Sequence, residues 1–180
     1  GDINFYKILY KEKTISKISG TAYWVKVQEP HFDQFNEQGI FSIDVTVDAK
    51  TKKQLQDLGL GPRIKNKGDE RNDFVTIKRK YTRKDGTKNS APRVVDSKKT
   101  PISSDVLIGN GSLVNVAFDT YDYNVGGNQG VGSSLKAVQV TKLVEYSPSE
   151  NLDEFSEESG YQAKPNGASK NELEDDKLPF

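Results

Sequence analysis

The chain has 180 residues, 33% of them hydrophobic, with 26 basic and 26 acidic side chains, one histidine and no cysteine. This length holds one domain of ordinary size plus an extension, and the lack of cysteine excludes disulfides, thiolate metal sites and a cysteine nucleophile, as expected in a reducing cytoplasm. No apolar run reaches the roughly 20 residues of a membrane span and no signal-peptide pattern opens the sequence, so a soluble, cytoplasmic protein without membrane partners is expected.

Five runs rich in β-branched and aromatic residues read as strands. In the first, TAYWVKV (Thr21 to Val27), Trp24 and Lys26 share the face opposite Tyr23, Val25 and Val27, which puts a ring beside a cation on the expected outer surface. In the second, IFSIDVTV, alternation assigns Phe41, Ile43, Val45 and Val47 to the core and turns Ile40, Ser42, Asp44 and Thr46 outward. The segment DAKTKKQLQDLGLGP follows and reads as a short helix, capped by Asp48 or Thr51, carrying Leu55 and Leu58 on one stripe and ended by Gly59 to Pro62.

Between Arg63 and Lys99 thirteen basic residues face five acids. The third strand, DFVTIKRKYTR, lies in this stretch and leads into KDGT, whose Asp-Gly suits a type I′ hairpin turn. Lys78, Arg79, Lys80, Arg83, Lys84, Lys88 and Arg93 can track a phosphate backbone, and Tyr81 within the run offers a ring for a base. Interleaved cations and rings suit single-stranded nucleic acid, where the cations follow the backbone and each stacked base contributes roughly 1–3 kcal/mol. The fourth strand, LVNVAFDTYDY, turns Val114, Val116 and Phe118 one way and Tyr121 and Tyr123 the other, a stacking pair on the solvent face. GGNQGVG (Gly126 to Gly132) lacks the Gly-Lys-Ser/Thr ending of a phosphate cradle and reads as a long flexible connection to the last strand, SLKAVQVTKLVEY.

After Tyr146 the pattern stops. Residues 147–180 carry nine acids against three lysines, so the body holds a matching excess of positive charge. Rich in Ser, Pro, Gly and Asn, this stretch is expected to be a disordered, protein-binding tail. The domains expected are thus 1–146, a β body, and 147–180, an acidic appendage. The body is expected to be all-β, a five-stranded OB-fold barrel with one short helix, although the pattern alone also suits a small sandwich or an SH3-like barrel.

Catalysis is not expected. No hydrolase or metalloprotease signature is present, and Asp119 and Asp122, the best carboxylate pair in the body, fall on opposite strand faces by their odd spacing. No cofactor or metal is called for.

RVVDSKK (Arg93 to Lys99), PISSDVLIGNGSLVNVAFDTYDYN, a strand running to KLVEY and an acidic end in Phe180 together resemble the replication single-stranded DNA-binding proteins of T-seven-like bacteriophages. The resemblance implies an OB fold, binding of single strands without sequence preference, often as a homodimer, and work in viral DNA replication, recombination and repair inside an infected bacterial host cell. It also implies an acidic C-terminus that engages the DNA polymerase and the primase-helicase. Tyr121 and Tyr123 fall where that family has aromatic residues thought to contact DNA. The tip EDDKLPF is similar to those of bacterial single-stranded DNA-binding proteins, which makes Glu174, Asp175, Asp176, Leu178, Pro179 and Phe180 the expected partner contacts. Two readings compete with this one: a protein-interaction adaptor with a solubilising tail, and an RNA-binding OB module.

Overall fold

Seven strands form one hydrogen-bonded sheet in the order β3-β4-β2-β1-β6-β7-β5, in a computed structural model that describes residues 15–146 and 158–163. The strands are β1 (Ser16–Asp33), β2 (Asn36–Thr46), β3 (Lys65–Asn66), β4 (Asp73–Lys80), β5 (Arg93–Val95), β6 (Leu113–Val125) and β7 (Asn128–Lys142). Helix α1 (Ala49–Asp57) and a single 3-10 turn (Gly61–Arg63) lie between β2 and β3. The chain divides after Ser147 into two units. Within the second unit, residues 158–163 form neither helix nor strand, and Glu174, Asp175, Asp176, Leu178, Pro179 and Phe180 lie outside the described residues.

Among the described residues the all-β expectation with one helix holds, but the count of strands does not: there are seven, not five, and the sheet is not closed. β1 is shared by its two halves. Residues Ser16 to Thr21 pair with β6, and Ala22 to Asp33 pair with β2. Where β1 passes from one half to the other, a Cβ on Gly20 would collide with the Thr46 carbonyl, so only glycine allows that approach. Trp24 then adopts a left-handed φ of 48°, and the pairing slips between Tyr23 and Lys26. This bulge bends the strand.

The two halves enclose a core of Ile18, Ile43, Val45, Leu55, Val75, Ile77, Val116, Phe118, Leu135 and Val138, all buried. Phe41, Ile43, Val45 and Val47 face inward as alternation predicts. Asp44 does not face solvent as expected. It is buried, accepting hydrogen bonds from the Thr76 hydroxyl (2.6 Å) and Arg71 Nη1 (2.8 Å). The same Arg71 lies 3.9 Å over the ring of Phe74 and is paired with Asp69, whose carboxyl it holds well down, at about 2. Asp48 caps α1 by accepting from the Thr51 N–H (2.8 Å), as one of the two expected caps, and Leu55 anchors the helix in the core.

Two turns differ from expectation. KDGT closes a three-residue loop: Arg83 N–H donates to Thr87 O and Gly86 N–H to Arg83 O, with only Gly86 at positive φ (88°), so the turn is type I followed by a glycine bulge. GGNQGVG is not a long connection. Gly126 and Gly127, with φ of 58° and 85°, make a two-residue turn, and Asn128 onward already belongs to β7.

Candidate nucleic-acid interface

Strand parity sorts the side chains of β4. Val75 and Ile77 enter the core, so Lys78 and Lys80 are left on the outer side. On β6 the same rule sends Phe118 inward and leaves Tyr121 outward, 53% exposed. β4 and β7 approach one another without hydrogen bonding. The groove of about 650 Å³ in this part of the body is bordered by Lys78, Arg79 and Lys80 of β4, Asp119 and Tyr121 of β6, and Lys136 of β7. Arg63, from the 3-10 turn, and Asn89 also line it.

The electrostatics are one-sided. Five cations, Arg63, Lys78, Arg79, Lys80 and Lys136, line the groove against a single acid, Asp119. That acid is already engaged, with its Oδ2 3.2 Å from Lys136 Nζ, and it is buried. Arg79 is held in place by donating from Nε to the Ser90 carbonyl (2.8 Å). A groove with this lining attracts a polyanion and offers it one exposed ring.

The ring is positioned by what it lies on. Tyr121 pairs across the ladder with Gly132 and Tyr123 with Gly130, and a Cβ on either glycine would overlap the tyrosine ring. The glycines of GGNQGVG therefore clear a bed for two flat-lying tyrosines, an arrangement used to pin strand register. Tyr123 is further fixed by Arg63, which donates from Nη2 to its hydroxyl (3.3 Å) and sits 5.7 Å from the ring centre.

Of the residues singled out in the sequence, Lys78, Arg79, Lys80 and Tyr121 meet in the groove, and Tyr123 stands half-buried beside it through Arg63. Trp24 and Lys26 are exposed on β1 but do not line it; the Trp24 N–H donates to Asn110 Oδ1 (2.9 Å). Arg83, Lys84 and Lys88 are exposed on the loop beyond β4, and Arg93 is exposed at the start of β5, all outside the groove lining. Tyr81 is not an open platform. It is half-buried, edge-on to Phe32 (5.9 Å) and Phe41 (5.8 Å), with Lys88 Nζ 5.2 Å from its ring centre.

The sequence reading missed Arg63, Lys136 and Asn89. Arg63 stands outside any strand, and Lys136 looked like one more solvated strand residue, so only the approach of β4 to β7 brings them to the groove. Asp119 and Asp122 do not converge, since Asp119 is tied to Lys136 and Asp122 is exposed. No group of three or more potential metal ligands occurs among the described residues.

No curated protein sequence matches the chain. Among solved structures, it is similar to the crystal structure of gp2.5, a single-stranded DNA binding protein encoded by bacteriophage T7, with 19% identity, 85% of this chain and 100% of that chain covered, and a TM-score of 0.59. It is also similar to the single-stranded DNA-binding protein from bacteriophage Enc34 in complex with ssDNA, with 10% identity, 71% and 86% covered, and a TM-score of 0.52. These likenesses establish a shared fold. The sequence model of a family described as "Enterobacter phage Enc34, ssDNA-binding protein" matches residues 36–157, more than half of the chain. The resemblance to phage single-stranded DNA-binding proteins is thereby borne out, and the chain belongs to the family of the Enterobacter phage Enc34 ssDNA-binding protein.

Proposed function

We propose that this protein binds single-stranded DNA in the groove between β4 and the β6–β7 hairpin, without sequence preference and without chemistry of its own, and coats and protects single strands during phage DNA replication and recombination. The observation that carries this is the groove lining: five cations, of which Lys136 is paired with the single acid, and an exposed tyrosine bedded on a glycine. In this reading β1, β2, β4, β6 and β7 correspond to the five strands of an OB fold, with β3 and β5 as short additions at the two edges of the sheet. Family membership supports the same ligand.

The acidic stretch 147–180 is the natural competitor for such a groove. A tether gives it an effective concentration on the order of millimolar, so a weak interaction is populated until DNA displaces it. The freed tip then presents Leu178, Pro179 and Phe180 as an apolar anchor, with Glu174, Asp175 and Asp176 steering toward basic pockets on the DNA polymerase and primase-helicase. The setting is the cytoplasm of an infected bacterial cell, with the protein as a homodimer.

The test is fluorescence anisotropy of labelled oligo(dT) at several salt concentrations, with the full chain and a chain ending at Tyr146. Tight binding that weakens with salt and strengthens without the tail is expected. No binding by either chain would discard the DNA reading in favour of a protein-interaction adaptor.

A further inference from the structure

Two carboxylates are buried among the described residues, and only one of them has partners at both oxygens. Asp44 accepts from the Thr76 hydroxyl at one oxygen (2.6 Å) and from Arg71 at the other (2.8 Å). Asp119 has Lys136 Nζ 3.2 Å from its Oδ2, while its Oδ1 is buried and accepts no hydrogen bond, the one side-chain oxygen or nitrogen so placed among the described residues. A buried acid with half its partners stabilises a fold poorly, because desolvation offsets most of what the ion pair contributes. The place of Asp119 therefore calls for a reason outside packing.

That place is the groove. On β6, Asp119 pairs across the ladder with Ser134 of β7 and precedes Tyr121 by two residues, so the carboxylate and the exposed ring share one strand face about 7 Å apart. Lys136 stands two residues beyond Ser134 on β7, with its side chain 37% exposed against 11% for that of Asp119. Among the described residues, the other groove cations, Arg63, Lys78, Arg79 and Lys80, have no acid within ion-pair reach. Lys136 is thus near enough to solvent to meet a phosphate, yet it is tied from below. Moving it to a phosphate would leave a buried carboxylate without its counter-charge, a loss that a contact near the surface does not recover. The pair stays closed and presents no net charge to a polyanion.

We propose that Asp119 is a built-in restraint on the groove: it holds Lys136 in an internal ion pair, keeps that cation from serving as a phosphate contact beside Tyr121, and so sets single-strand affinity below what five cations would give. The proposal rests on the groove being the single-strand site. A coat has to leave its strand whenever the strand is used, and one internal acid speeds that release without removing any other contact.

The test measures anisotropy of labelled oligo(dT) over a range of salt with the full chain and its Asp119→Asn, Asp119→Ser, Asp119→Asn/Lys136→Gln and Lys80→Ala variants, each checked for folding by circular dichroism. The two neutral variants at position 119 are expected to bind about fivefold more tightly at 0.1 M salt, with a log–log slope steeper by about 0.7, as one added phosphate contact gives. Adding Lys136→Gln to Asp119→Asn should cancel the gain, because Lys136 is the cation released. Unchanged binding by both neutral variants, with Lys80→Ala weakened, would overturn the proposal and leave the groove intact. Weaker binding by both with a shallower slope would also overturn it, since Asp119 would then be aiming Lys136 at the strand. So would a gain that survives Lys136→Gln. If Lys80→Ala and Asp119→Asn both left binding unchanged, or the unaltered protein bound no oligo(dT), the groove reading itself would fall.

Discussion

The β1–β2 and β6–β7 hairpins both close in two-residue turns and both present aromatic rings, but they do so by opposite means. In β6–β7 the turn is Gly126-Gly127, and the rings of Tyr121 and Tyr123 lie back along the strand on the empty faces of Gly132 and Gly130. In β1–β2 the tip itself carries the ring, and a carboxylate network stiffens the turn beneath it. One hairpin removes side chains to seat its rings; the other adds hydrogen bonds to raise one. An exposed aromatic ring can therefore be held in place either by a vacant cross-strand position or by a locked turn beneath it, and a sequence signals the two quite differently.

The contrast is sharpest where a ring faces inward. Phe118 is fully buried under the β6–β7 hairpin, so Phe118→Ala should cost about 3–5 kcal/mol in chemical denaturation, whereas Phe35→Ala should stay within about 0.5 kcal/mol of the parent. Next in size are the groove contacts. Tyr121→Ala should weaken oligo(dT) binding about tenfold with its log–log salt slope kept, while Lys78→Ala and Lys80→Ala should each lower that slope by about 0.7. Identical slopes for all three would show that ring and cations do not divide the work. Gly132→Ala should have a smaller effect: the added methyl lifts Tyr121 from its bed, so affinity should fall severalfold with the salt slope unchanged. Unaltered affinity would mean that the glycine bed does not matter for binding.

The smallest effect concerns acid. Burial works against the Asp33 carboxylate, but the hydrogen bonds from Phe35, Asn36 and His31 together outweigh it and hold its pKa below the ordinary 3.8. A lowered pKa means that the turn is stabilised fully above pH 3.8 and loses that contribution as pH falls through the lower, folded-state value. Amide exchange at Phe35 and Asn36 should accelerate relative to the Gly126-Gly127 turn over that range. Parallel behaviour of the two turns would remove Asp33 as the difference between them.

Much of this was legible in the sequence. Alternation in IFSIDVTV identified the inward residues of β2, and Asp48 announced the start of α1. The extra strands were not legible because β3 has two residues and β5 three, too few to show a period. The full reach of β1 was masked by Gly20 and Pro30. The proline is tolerated because that half of β1 pairs with β2 alone, so its missing N–H breaks no second ladder. Glycine and asparagine usually punctuate, which is why GGNQGVG read as a loop, although two of its glycines are strand residues under tyrosines. The setting of Tyr81 was hidden for a different reason: Phe32 and Phe41, the rings edge-on to it, are distant in sequence. Such tertiary neighbours leave no local trace.

The bend in β1 at Gly20 and Trp24 also sets how the groove can respond to what enters it. β4 and β7 border the groove but share no ladder, and the sheet that joins them runs through β2, β1 and β6. Flexing that one strand would open or narrow the gap while every paired strand kept its partner, much as a spring clip widens without coming apart. If single strands lie in this groove as proposed, compliance of this sort would let it take purine-rich and pyrimidine-rich strands alike.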